Sequence, residues 1–181
     1  PIGGRCPPTV RRSSPTLDRN KGHEESHVEH NFERLKAHIL PLSRAKVFDV
    51  ARTEWRLVAV EISEEFDNCP CGQEIKEHCY IQNSVTGHET YVGNVCINRF
   101  IGIDTGNLFD GLRRIAEDDT TNANADVIEY ANERGFLYDK EYDFLMSTRL
   151  KRTLSDKQKA WKRKINRRIL SKIVVQRRTS R

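Results

Sequence analysis

The chain has 181 residues, of which 36% are hydrophobic and 31% charged, and carries a formal net charge of +5. No run approaches the roughly 18 consecutive apolar residues of a membrane-spanning helix, and the Pro-, Arg- and Ser-rich start lacks the apolar centre of a secretory signal. The expectation is a cytoplasmic protein (nucleoid-associated if it binds DNA) with no membrane partner and no small-molecule substrate; the absence of an initiator Met reads as trimming or as part of a longer product.

The charge is unevenly placed. Residues 1–22 hold five Lys/Arg and one Asp, residues 23–150 hold 13 basic and 24 acidic residues, and residues 151–181 hold 13 basic residues and one Asp. An acidic body between two basic ends suits either a polyanionic partner or a tail that folds back on its own body. Three parts are expected: a disordered basic tail over 1–22, an α+β body over 23–150, and a basic amphipathic helix with its tail over 151–181.

The tail has Gly, Pro and Ser without apolar periodicity, and Cys6 stands alone in it as a free thiol. Val28, Phe32, Leu35 and Ile39 then recur at helical spacing, with Pro41 as the expected end. Ser43 reads as the N-cap of a second helix carrying Val47, Phe48, Ala51 and Trp55. The β-branched run at 57–62 predicts a strand leading into the cysteines. Beyond them, Leu108, Phe109, Leu112 and Ile115 make one helical face. Val127, Ile128 and Ala131 make another, closed by Gly135. Phe136, Tyr138, Tyr142, Phe144 and Leu145 supply aromatic packing around a third. The last helix starts at Ser155, where Ser155 and Gln158 form a capping box. Trp161, Ile165, Ile169 and Ile173 repeat every four residues along it.

The strongest chemical signal lies at 69–100. Cys69 and Cys71 flank Pro70, and Gly72 follows, which makes a tight turn whose amides can face thiolate sulfurs. HCYIQ, a polar turn at 84–87 and HETYVG predict a β-hairpin. Cys79 falls at the start of this hairpin, and Cys96 falls in the first turn of a helix, where the positive dipole end favours a thiolate. A knuckle, a hairpin and a helix start around four cysteines point to one structural Zn2+ on Cys69, Cys71, Cys79 and Cys96. Four thiolates complete a tetrahedron and leave no open catalytic position. The spacing C-x-C-x7-C-x16-C has gaps unlike the usual two- to four-residue ones. His78 and His88 are the other nearby ligand types.

The wider pattern is C-x-C-G, then C-x-I-x-N, T-G and V-G-x-x-C-I-x-x-F. It resembles treble-clef-like, four-cysteine zinc-finger proteins and modules common in bacteriophage and bacterial genomes. The segment LS-x-K-Q-x-x-W-x-x-K-I at 154–165 is similar to one in such proteins. About a third of the chain takes part. The resemblance implies an association with nucleic-acid transactions and assigns no reaction.

Two catalytic patterns compete with this reading. His23, Glu24 and His27 spell H-E-x-x-H, with His30 as a third ligand type, but the stretch adjoins a polar tail and lacks the apolar surround of a metalloprotease helix. A histidine–metal finger nuclease needs a general-base His on the hairpin and a metal-binding residue on the next helix; His88 and Asn98 are the only approximations, without a carboxylate pair. The reading is therefore non-enzymatic.

Lys159, Lys162, Arg163, Lys164, Arg167, Arg168 and Lys172 surround the apolar stripe of the last helix, and Arg177, Arg178 and Arg181 extend it. The expectation is that the stripe docks on the body and the cations face out to grip the phosphates of DNA or RNA. The alternative is a protein-interaction module or inhibitor, perhaps a subunit of a larger complex, working through Glu117, Asp118, Asp119, Asp126, Glu129 and Glu133. The expected fold is α+β: a zinc-stapled β-hairpin, treble-clef-like or of a related finger class, among several short helices.

Overall fold

The computed structural model describes residues 21–176, with side chains described from residue 29. Cys6, Arg177, Arg178 and Arg181 lie outside the described residues. His23 and His27 fall on the first helix, but their side chains also lie outside them.

The described residues form an α+β arrangement of seven α-helices and one three-stranded antiparallel sheet. Helix α1 spans Lys21–Leu42, so it takes in the last two residues assigned above to the tail. Leu35 and Ile39 on α1 are fully buried, and Pro41 sits in its last turn. A proline there has no N–H for the i→i−4 bond and its ring crowds the preceding turn, and α1 stops one residue later.

Ser43 is not an N-cap. Its hydroxyl donates back to Ile39 O at 2.9 Å and accepts Trp55 Nε1–H at 2.9 Å, so it seals the end of α1 instead. The second helix shrinks to one turn, α2 at Phe48–Ala51, followed by a 3-10 turn at Arg52–Glu54. Trp55 opens a strand and not a helix face. The Glu54 carboxylate organises this corner: it accepts from Arg44 N, Ala45 N and Asn83 Nδ2 at 3.0, 2.8 and 2.8 Å.

Strand β1, Trp55–Asn68, pairs antiparallel with β2, Glu74–Asn83, which pairs with β3, Glu89–Gly93. β1 runs six residues beyond the apolar segment: β2 pairs again with Asp67 and Asn68, and a register shift between Ile62 and Asp67 takes up residues 63–66. Asn83 turns the hairpin: its Oδ1 accepts from Val85 N and Thr86 N at 2.8 and 2.9 Å.

Helix α3, Asn94–Ile101, follows β3 without a loop and buries Ile97 and Phe100. Phe100 packs near Phe48 and Trp55, with ring centroids 5.6 and 6.2 Å apart. Helices α4, Gly106–Glu117, and α5, Ala125–Glu133, bury the faces read from the sequence. Gly135, at φ +73, closes α5: Phe136 N–H reaches Ala131 O at 2.8 Å and Gly135 N–H reaches Asn132 O at 3.0 Å, the paired bonds of a Schellman ending. Helix α6 spans Asp139–Thr148 and α7 spans Asp156–Leu170. The Ser155–Gln158 capping box forms as expected. Ile165 and Ile169 of α7 join the same core as α1, the sheet and α3 to α5.

Candidate metal centre

The turn at 69–73 is a compact knuckle. Cys69 N donates to Gln73 O at 2.9 Å and Gly72 N donates to Cys69 O at 2.7 Å. Gly72 takes φ +92, and a Cβ there would collide with the Arg34 guanidinium; only glycine meets both conditions without strain. The knuckle turns backbone amides onto sulfur. Cys69 Sγ accepts from Cys71 N and from Gly93 N, the latter at 3.4 Å, and Cys71 Sγ accepts from Gln73 N. These N–H donors are pre-aimed at negative sulfur.

Cys96 arrives from the third residue of α3 and completes a trio. The sulfurs of Cys69, Cys71 and Cys96 all lie within 4.8 Å of one another. Around a tetrahedral Zn2+ with Zn–S about 2.3 Å, thiolates sit roughly 3.8 Å apart. The trio thus lies close enough for one metal ion to draw together, and its soft donors suit zinc. A hydrogen bond from Cys96, together with the backbone amides, holds the Cys69 thiol well below its usual range. The same bond to Cys69, with burial, pushes the Cys96 thiol up, and burial raises Cys71.

Cys79 is not brought into this group. It points from β2 into the core, with Sγ 3.8 Å from Thr105 Oγ1. Burial pushes its thiol up to about 12, and the charge on Cys69 adds to the rise. His78, next along β2, projects to the opposite sheet face. There it is buried between Tyr80 and Tyr91, with Nε2 3.5 Å from Asp67 Oδ2. His88 is exposed, with Nδ1 near Leu42 O and Thr86 Oγ1 at 3.2 and 3.0 Å. Asn98 lies in a shallow depression with Arg99 and Asp104 that His88 does not line. One histidine went unnoticed in the sequence: His38 on α1, hydrogen-bonded to Thr90 Oγ1 at 2.9 Å, lies close enough to feel the Cys69 charge.

The basic helix corrects the outward-facing expectation in two places. Its buried stripe is Lys162, Ile165, Asn166 and Ile169. Trp161 is rotated to the edge, where it stacks on Phe144 with centroids 4.4 Å apart, and Ile173 lies beyond the helix and is exposed. Lys162 turns inward to Asn122 Oδ1, and Arg168 turns inward to Glu141 and to Phe136 O. Arg163 and Arg167 are exposed but share one carboxylate, Asp119, at 3.0 and 2.6 Å. Lys159 meets Asp156 at 3.6 Å and Lys172 meets Glu61 at 3.8 Å. Lys164 is exposed. The charge split read from the sequence is thus partly neutralised within the molecule. Asp119 does this directly. Glu129 is engaged by Tyr142 OH, and Glu117, Asp118, Asp126 and Glu133 remain at the surface.

Fold and site together describe an α+β chain with a three-thiol cluster, two of its cysteines buried and Cys96 half-buried, between a knuckle and a helix start. No family model matches the chain, and no curated protein or solved structure matches it. No described helix is long and apolar enough to cross a membrane.

Proposed function

We propose that this chain is a non-enzymatic, zinc-stapled binding module whose partner is nucleic acid. The observation that carries the metal part is the approach of Cys69, Cys71 and Cys96 to within 4.8 Å, with amides aimed at their sulfurs. Cys79 is the fourth ligand in this reading. It is fully buried and sits within reach of the Cys69 charge, so leaving Thr105 for the metal exchanges a weak S–H contact for a thiolate bond. The metal, when bound, closes the knuckle against α3 and supplies folding free energy, not chemistry. The knuckle, hairpin and helix start, and the likeness to four-cysteine phage and bacterial fingers, support a treble-clef-like class.

Protein purified without added zinc should carry one equivalent, and a chelator should unfold the knuckle and α3. Substoichiometric metal with a fold indifferent to chelator would reject the staple.

The nucleic-acid part rests on what internal pairing leaves over. Arg149, Lys151, Arg152, Lys157, Lys159 and Lys164 are exposed along the α6–α7 turn and α7, and only Lys159 has an ion-pair partner among the described residues. Such cations gain affinity by releasing counterions from phosphates. The exposed hairpin turn at 84–88 adds contacts. Fluorescence anisotropy with duplex DNA, single-stranded DNA and RNA across a salt series tests this: log affinity should fall linearly with log salt, with a shallower slope for Lys157→Ala/Lys164→Ala. Absence of binding at low salt would favour the second reading, a protein-interaction module, which the internal pairing of Arg163, Arg167 and Arg168 supports.

A further inference from the structure

A second site lies away from the thiols. A pocket of about 330 Å³ opens between the loop after α4, the α6–α7 turn and α7. Lys151, Arg152, Lys159 and Lys162 line it, against a single carboxylate, Asp118.

Lys162 makes this more than a patch of surface lysines. It is 2% exposed, and its one hydrogen-bond partner among the described residues is the neutral amide of Asn122. No carboxylate among them lies within ion-pair distance of it. An interior ammonium that has lost its water and gained no counter-ion is costly. Arg168, half-buried on the same helix, shows the ordinary solution: it pairs with Glu141. Lys162 has two N–H donors to spare and no such partner.

The surroundings hold this arrangement in place. Asn122 accepts from Lys162 through Oδ1 and donates through Nδ2 to Lys151 O at 3.0 Å, which ties the α6–α7 turn to the loop. Asn166 Nδ2 donates to Asp119 O and Thr121 O at 2.9 and 3.0 Å, which ties the loop to α7. The Asp118 carboxylate is turned to Thr120, accepting its N–H at 2.8 Å and its hydroxyl at 2.6 Å. Lys159 is held only by the fully exposed Asp156, a pair that contributes little and is readily exchanged. Four cations, one of them buried and without a counter-ion, face one already satisfied carboxylate.

The geometry points to this pocket as a binding site for a phosphate-class oxyanion, with Lys162 as the buried contact and Lys151, Arg152 and Lys159 as the outer ones. The anion supplies the counter-charge that Lys162 lacks, and charge-assisted N–H···O⁻ bonds hold it. The site depends on neither the metal centre nor the identity of the macromolecular partner. Free phosphate and a backbone phosphate of nucleic acid share the chemistry.

The test uses the full zinc-loaded chain titrated with inorganic phosphate, followed by calorimetry and by the Asn122 side-chain amide signal in NMR. A saturable one-site isotherm that moves this signal is expected. Lys162→Met should weaken binding roughly tenfold or more, as losing a charged donor does, whereas Lys46→Met, at an exposed position outside the pocket, should leave it unchanged. If Lys162→Met does not fold, Lys151→Gln/Arg152→Gln, at exposed positions, should still weaken binding severalfold. Absence of saturation, or equal binding by folded Lys162→Met and the parent, would overturn the site. A short oligonucleotide then separates the sources: mutual displacement with phosphate upholds the site as a backbone contact, and simultaneous binding upholds it as a free-phosphate site. Phosphate binding with no oligonucleotide binding would reject the nucleic-acid reading and leave this site standing.

Discussion

Arg168 of α7 and Glu141 of α6 form a buried ion pair, with side chains 15% and 8% exposed. Glu141 also accepts Tyr138 N–H at 3.0 Å, and Arg168 Nε donates to Phe136 O at 2.9 Å, so one pair joins two helices and the segment between α5 and α6. Removing one partner strands the other charge, and Glu141→Leu or Arg168→Met alone should cost about 3–5 kcal/mol. The double variant should regain most of that loss, because apolar replacement of both partners is often near neutral. Urea denaturation of the four proteins measures it. Additive losses would show that the charges do not act as a pair.

The thiol trio predicts an order among cysteine variants. Cys69→Ser, Cys71→Ser and Cys96→Ser should each abolish stoichiometric zinc and lower the thermal midpoint. Cys79→Ser should keep one equivalent at weaker affinity, and its Co2+ form should show thiolate charge-transfer absorption reduced by one ligand. An unchanged Co2+ spectrum would remove Cys79 from the ligand set.

Glu54 predicts a pH-dependent corner. The Asn83 amide, with smaller contributions from the amides of Ala45 and Arg44, holds its carboxyl below the ordinary value of 4.5. A carboxylate whose folded pKa is depressed contributes stability that is present above its unfolded pKa and is lost as pH falls through the folded one. Glu54→Gln should therefore be less stable than the parent above about pH 5, and the gap should close as the pH falls toward 3. Denaturant midpoints across that range check it. A gap that persists at the acid end would assign the effect to shape and not charge.

Gly111 of α4 lies tightly against the start of α5. A Cβ there would lie 2.5 Å from both Asn124 Oδ1 and Val127 Cγ2, and Asn124 is the N-cap of α5. Gly111→Ala should destabilise by about 1–3 kcal/mol despite alanine's better helix propensity. Thermal unfolding of the variant reads this directly, and a gain in stability would contradict the packing.

The sequence by itself determined the elements whose cause is local. The Ser155–Gln158 box, the apolar faces of α4 and α5, the Gly135 ending and the β2–β3 hairpin depend on spacing and on side chains that satisfy nearby backbone groups. The knuckle was legible for the same reason: Cys69, Cys71 and Gly72 carry their geometry within five residues. Tertiary structure decided what depends on distant partners. Ser43 looks like a cap until Trp55 takes its hydroxyl. The mostly polar stretch 63–68 extends β1 because β2 pairs again with Asp67 and Asn68 across the ladder. Cys96 joins Cys69 and Cys71 while Cys79 turns to Thr105, a choice set by which sheet and helix faces meet. Lys162 and Arg168 match the other basic residues of α7 in the sequence, yet they turn inward because Asn122 and Glu141 wait 40 and 27 residues away. Helical periodicity marks a face of α7 to within part of a turn; only the packed neighbours select the residues that face inward.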